Sequence, residues 1–324
     1  MDAFGRRIDY LRISITDRCN ERCLYCMPEG YRGCERRADH LATGEIIRVV
    51  RVAAGLGFRK FRLTGGEPLV RPDVPDLVRA MTAIPGVECV GLSTNGTRLA
   101  ALAAPLRQAG LRTINISLDA LDPQVYRRVT GGDVQAAIAG IRAALAAGFE
   151  RVKLNCVLMR GVNEPELWPL VLFAAEHGLP LRLIELMPLT RRDVLTDANF
   201  LPVGEAMQIL RRRDNLISQP NRHFGWGPAK YYRLQHTGAL VGFIGAMTNL
   251  HFCENCNKLR LTADGKLRPC LGDHHESDLR GALRASSSDE GVRAVFLAAL
   301  QRKPLEHSFR HQYQPCRLMT AIGG

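Results

Sequence analysis

The stretch Thr16–Gly30, TDRCNERCLYCMPEG, sets three cysteines, Cys19, Cys23 and Cys26, at C-x3-C-x2-C spacing, with Tyr25 just before the last. Three thiolates are one short of closing a tetrahedral zinc site. They suffice for a [4Fe–4S] cluster in which one iron keeps an open position, and an open iron can engage a ligand chemically. The alternative is a zinc loop completed by a remote ligand, Cys34 or His40. A second set follows near the other end of the chain. FCENCNKLRLTADGKLRPC carries Cys253, Cys256 and Cys270 at C-x2-C-x13-C. It reads either as a zinc ribbon lacking one ligand or as a second cluster with an open iron. The remaining cysteines, Cys34, Cys89, Cys156 and Cys316, fit neither set and read as small hydrophobes or spare thiols.

The chain that must position these thiols has 324 residues, room for one large α/β domain with an appendage. Its 46% hydrophobic and 6% aromatic composition is that of an ordinary globular protein. No apolar run approaches the roughly 18–20 residues of a membrane span. MDAFGRRIDYLRIS shows no signal-peptide pattern. The expectation is a cytoplasmic protein without membrane association, in a compartment where disulfides are rare and ten cysteines point to metal or catalysis. The net charge of +12 attracts anions. Its short clusters (Arg36-Arg37, Arg191-Arg192, Arg211–Arg213) lack the interleaved aromatics of a strand-tracking groove. A small phosphorylated ligand therefore suits the charge better than nucleic acid.

Six apolar runs read as strands: 11–17, 58–66, 87–96, 113–120, 151–159 and 181–189. Ala/Leu-rich helical patterns lie between them, several ending in Gly. Successive β-α units predict a parallel sheet, closed or nearly closed as an incomplete (β/α)6 TIM-type barrel. A doubly wound sheet is the alternative, weakened by the lack of G-x-G-x-x-G after the first strand. From about Leu216 the pattern shifts to Gly, Pro and aromatics with hairpin alternation. A division into 1–215, a partial barrel, and 216–324, a smaller β-containing cluster-binding lid with a Gly-Gly tail, is expected. Within the fifth strand Lys153 interrupts an apolar run, and alternation puts it on one side with Asn155, facing the interior.

C-x3-C-x-Φ-C together with LTGGEPL (63–69) resembles the radical S-adenosylmethionine (SAM) enzymes. With the second triad, SLDA (117–120), AKYYR (229–233) and the terminal Gly323-Gly324, the chain is similar nearly end to end to the GTP 3′,8-cyclase family of molybdenum cofactor biosynthesis. The resemblance implies a lyase with two [4Fe–4S] clusters, held by Cys19, Cys23 and Cys26 and by Cys253, Cys256 and Cys270. It places Tyr25, Gly66, Ser117 and Met187 at SAM. It places Arg12, Arg62, Ser93, Lys153, Lys258, Leu259 and Arg260 at GTP, with Lys258 where Arg is the commoner residue. Gly323 and Gly324 would reach into the active site. The implied reaction cleaves SAM to a 5′-deoxyadenosyl radical, which takes the C3′ hydrogen of GTP. The C3′ carbon then attacks C8, giving (8S)-3′,8-cyclo-7,8-dihydro-GTP after reduction and protonation. An electron donor, a homodimer and hand-over to the cyclic pyranopterin monophosphate synthase are implied partners. A radical SAM enzyme whose auxiliary cluster serves a peptide is the runner-up.

Overall fold

The computed structural model describes residues 1–27, 40–189, 196–220, 227–311 and 313–323. In chain order the elements begin with β1 (Tyr10–Ser14), α1 (Thr43–Gly55), β2 (Lys60–Thr64), α2 (Val74–Thr82), β3 (Cys89–Thr94) and α3 (Leu99–Gln108). They continue with β4 (Thr113–Ser117), α4 (Pro123–Thr130), α5 (Val134–Ala146), β5 (Arg151–Leu158), α6 (Leu167–Glu176), β6 (Leu181–Glu185) and α7 (Val203–Arg211). The last part holds β7 (Leu216–Ser218), β8 (Lys230–Leu234), β9 (Leu240–Ile244), β10 (Lys258–Leu261), β11 (Lys266–Arg268) and β12 (Ser277–Asp278). It closes with α8 (Leu279–Ala285), α9 (Glu290–Gln301) and α10 (Met319–Ile322).

All six expected strands form, side by side and parallel, as an incomplete barrel with helical crossovers. The strands after residue 215 do not stand apart as a separate sheet. β10 adds parallel to β1, and β9 adds parallel to β6, so one sheet runs β12-β11-β10-β1-β2-β3-β4-β5-β6-β9-β8-β7. The hairpin predicted at Ala263–Lys266 joins β10 to β11, with Gly265 at φ 79°, the left-handed region its turn requires.

Strand alternation sorts the chemistry. Leu11, Ile13, Phe61, Leu63, Ile114, Ile116, Leu154 and Leu183 point outward and are buried under the helices in one core. On the opposite face lie Tyr10, Arg12, Arg62, Ser93, Thr113, Asn115, Ser117, Lys153, Asn155 and Arg182, which line a cavity of about 430 Å³. Burial of the outward face, at about 25 cal/mol per Å², is what permits a polar interior. α9 shows the packing: Phe296 meets Phe58 with ring centroids 5.6 Å apart. Among the described residues no helix is long and apolar enough to cross a membrane.

Candidate active site

Both cysteine triads line the same cavity. Cys19, Cys23 and Cys26 follow β1 and so lie at the carboxyl ends of the parallel strands. Cys253 and Cys256 precede β10, and Cys270 follows the antiparallel β11, so this triad lies at the opposite mouth. A five-residue strand separates them, roughly 15 Å.

The first triad is braced by the loop after β2. Gly66 donates to the Thr16 carbonyl at 2.8 Å, and the Glu67 N–H to that of Arg18 at 2.7 Å. A Cβ on Gly65 would collide with the Thr16 carbonyl oxygen, and one on Gly66 with that of Arg18. Close backbone passage past the cysteine loop is therefore the local reason for both glycines. The Glu67 carboxylate accepts from the N–H groups of Leu69 and Asn95 and from the Thr94 hydroxyl, which fixes the loop to β3. Tyr25 donates its hydroxyl to Asp119 Oδ2 at 2.7 Å, while Asp119 Oδ1 accepts from Val157 N–H. Tyr126 donates to Glu21 at 2.9 Å. Burial raises the acids at this end: Glu21 and Glu67 to about 7, Asp119 to about 6. It also pushes the Cys19 and Cys26 thiols up to about 12, and neighbouring thiols and carboxylates add to it for Cys23.

The fit to a cluster rests on this donor set. Buried thiols among carboxylates ionise only against a strong local cation, which an iron cluster core provides. Among the described residues no three His, Cys, Asp or Glu side chains converge on a single-ion site. Cube-shaped clusters spread their thiolates over separate corners, so the triads suit a cluster better than one zinc ion. His40 faces Asp17 at 3.3 Å; Cys34 lies outside the described residues.

Cations occupy the middle of the cavity and its far mouth. Arg260, Arg12 and Arg62 stand in register across β10, β1 and β2, and Lys258 pairs with Tyr10 one step back. Arg62 is held by the Tyr10 hydroxyl at 2.6 Å, the Leu92 carbonyl at 2.6 Å and Thr113 Oγ1 at 3.0 Å. Gly91 makes room for it, since a Cβ there would come within 2.7 Å of the guanidinium. Lys153 points inward with Asn155, its ammonium 5.8 Å from the Tyr231 ring centre. Burial, reinforced by Arg182, Arg151 and Arg62, pushes its pKa down to about 6. Burial also lowers Arg260 to about 9 and Arg182 to about 10.

Of the expected contacts, Tyr25, Gly66, Ser117, Met187, Arg12, Arg62, Ser93, Lys153, Lys258 and Arg260 all line the cavity. Leu259 stands differently: between Lys258 and Arg260 on one strand, its side chain faces the opposite way and is fully buried in the core, which leaves only its backbone towards the cavity side. Gly323 is buried at φ 81°, its carbonyl accepting from Arg260 at 2.6 Å. Gly324 lies outside the described residues, as do Arg36, Arg37, Arg191 and Arg192, while Arg211–Arg213 are exposed. Sequence reasoning missed Arg182, which lines the cavity and whose Nε and Nη2 are buried with no hydrogen-bond partner among the described residues. The signal was there: like Lys153, it is a cation inside an apolar strand. It also missed the Asp119 and Glu21 network, for which no local pattern exists.

The fold and both triads define a radical SAM enzyme. The Radical SAM superfamily matches residues 13–174, and Molybdenum Cofactor Synthesis C matches residues 179–309. The chain is similar in fold to the Streptococcus suis protein SuiB bound to its precursor peptide SuiA, with TM-score 0.64 and 15% identity, covering 94% of this chain and 67% of that one. Sequence relatives are far nearer. A GTP 3′,8-cyclase of Moorella thermoacetica is 47% identical over 100% of this chain and 99% of its own length. One from Pelotomaculum thermopropionicum is 43% identical over 100% and 99%. The chain belongs to the GTP 3′,8-cyclase family.

Proposed function

We propose that this protein converts GTP to (8S)-3′,8-cyclo-7,8-dihydro-GTP, the first step of molybdenum cofactor biosynthesis. The observation that carries the reading is one cavity with a cysteine triad at each mouth and Arg12, Arg62, Lys153, Arg182, Lys258 and Arg260 between them. A triphosphate of about four negative charges is the ligand that such a cluster of buried cations calls for. Cys19, Cys23 and Cys26 would hold the first cluster, which, once reduced by an electron donor, would supply the electron that cleaves SAM to methionine and a 5′-deoxyadenosyl radical.

The protein's own part is placement. Tyr25, fixed by Asp119, and Gly66, Ser117 and Met187 surround the first triad and hold SAM there. The cations hold the triphosphate, with Ser93 beside them, and so set the ribose towards the first triad. The guanine then lies at the second triad. Gly323, docked through its carbonyl on Arg260, brings the tail against Ser14 and Thr64 at the ends of β1 and β2. The reading includes a low-potential electron donor, a homodimer, a cytoplasmic setting, and hand-over of the product to the cyclic pyranopterin monophosphate synthase.

Anaerobic titration with GTP, GDP and guanosine tests the placement. Affinity falls at each loss of phosphate, and Arg182→Ala flattens the series. Equal affinity for guanosine and GTP overturns it.

A further inference from the structure

Three of the six lysines in this Arg-rich chain, Lys153, Lys258 and Lys303, line the cavity. The first two face the nucleotide region; Lys303 does not. It follows α9, is 2% exposed, and sits behind the second triad. Its ammonium donates to the Lys258 carbonyl at 2.9 Å and to the Pro269 carbonyl at 2.7 Å. Lys258 begins β10, two residues after Cys256, and Pro269 immediately precedes Cys270. Its described hydrogen-bond partners are thus two carbonyls, with no carboxylate among them.

A buried ammonium in such a setting needs an anion, and thiolates on the two segments it bonds would supply one. The first triad has the opposite surroundings. Glu21 and Glu67 face Cys19, and Glu21 and Asp119 face Cys23. Carboxyl groups thus crowd the first triad, while an ammonium bonds the segments of the second.

We infer that Lys303 is the positioning residue of the second triad: it ties the Cys256 and Cys270 segments together and holds a positive charge beside them. That charge would favour the reduced state of a cluster carried there and so raise its reduction potential. Arg6 anchors the same segment from behind, donating to the carbonyls of Cys253 at 3.0 Å, Leu305 at 2.7 Å and Pro304 at 2.6 Å. The inference rests on the two-cluster reading but not on the substrate.

The test uses full-length protein, reconstituted anaerobically, with the first triad replaced (C19A/C23A/C26A) so that only the second cluster reports. Iron content and a redox titration followed by electron paramagnetic resonance are compared among the Lys303, Lys303→Met and Lys303→Arg forms. The expected result is a more negative midpoint for Lys303→Met, with Lys303→Arg recovering most of the shift. Loss of iron from Lys303→Met alone, with Lys303→Arg retaining it, also supports the role. An unchanged midpoint in Lys303→Met overturns it, as does equal loss of iron from both variants. If Lys303→Met does not fold, 15N-lysine labelling of the form that keeps Lys303 decides. A nitrogen coupling to the reduced second cluster that survives Lys258→Arg supports the placement of Lys303, and its absence overturns it. Failure of GTP cyclisation leaves all these readouts in place, so the two claims fail separately.

Discussion

Lys153 offers the most quantitative test of how the cavity meets its ligand. With its pKa pushed down to about 6 in the free protein, only about 3% of Lys153 carries a proton at pH 7.5. A bound triphosphate reverses the environment: anionic oxygens favour the charged ammonium, and GTP binding must draw a proton from solvent. Recharging the group at pH 7.5 costs about 2 kcal/mol, from 1.5 units at 1.36 kcal/mol each. A charge-assisted hydrogen bond returns roughly 1.5–3 kcal/mol. The sign follows. Below pH 6 the free protein already holds the proton, so none is taken up. Above it, uptake rises towards one proton per GTP, and apparent affinity falls with pH. Lys153→Met should weaken GTP binding by roughly 1.5–3 kcal/mol at pH 5.5 and by much less at pH 7.5. Anaerobic calorimetry at pH 7.5 in buffers of different ionisation enthalpy reads the uptake directly. The terminal phosphate, with a last pKa near 6, contributes little there. About one proton for the unaltered chain and none for Lys153→Met is expected. Zero uptake by the unaltered chain refutes the argument. The same shift makes folding of the ligand-free protein more favourable as pH rises from about 6 towards 10.5, where only the unfolded chain holds the proton.

Two further outcomes follow from the geometry. Gly323→Ala puts a Cβ 2.6 Å from Thr64 Cγ2 at a backbone φ of 81°, so the tail leaves its seat on Arg260. SAM cleavage should persist while cyclisation is lost, read as 5′-deoxyadenosine formed without cyclic nucleotide; full coupling would make the tail's seat irrelevant. Tyr25→Phe removes the 2.7 Å bond to buried Asp119 and should lower stability by about 1–3 kcal/mol in anaerobic denaturation, with weaker SAM binding. Unaltered stability would show that water replaces the hydroxyl.

Much of this was legible before the structure, because strand periodicity carries it. The six β-α units, the hairpin at Gly265 and the inward aim of Lys153 all follow from period two and turn chemistry. The same rule, applied strictly, would have found Arg182 and turned the side chain of Leu259 outward, since it lies one residue from each of two inward cations. Other features had no local signature. That β9 and β10 extend the barrel sheet on both sides depends on pairings between segments some 60–250 residues apart. The partners of Asp119 and Lys303 come from distant loops and helix ends, where no pattern in the chain marks the contact.

The central claim is that the cavity directs hydrogen removal to C3′ of GTP and closes that carbon onto C8. The hydrogen leaves C3′ and a proton and an electron arrive elsewhere, so the product is an isomer of GTP and mass alone does not reveal it. Anaerobic turnover of GTP deuterated at C3′, with SAM and a reductant, resolves the matter. The account predicts 5′-deoxyadenosine heavier by one deuterium, formed together with a nucleotide that has lost it. Unlabelled 5′-deoxyadenosine, or labelled GTP recovered unchanged, would contradict it.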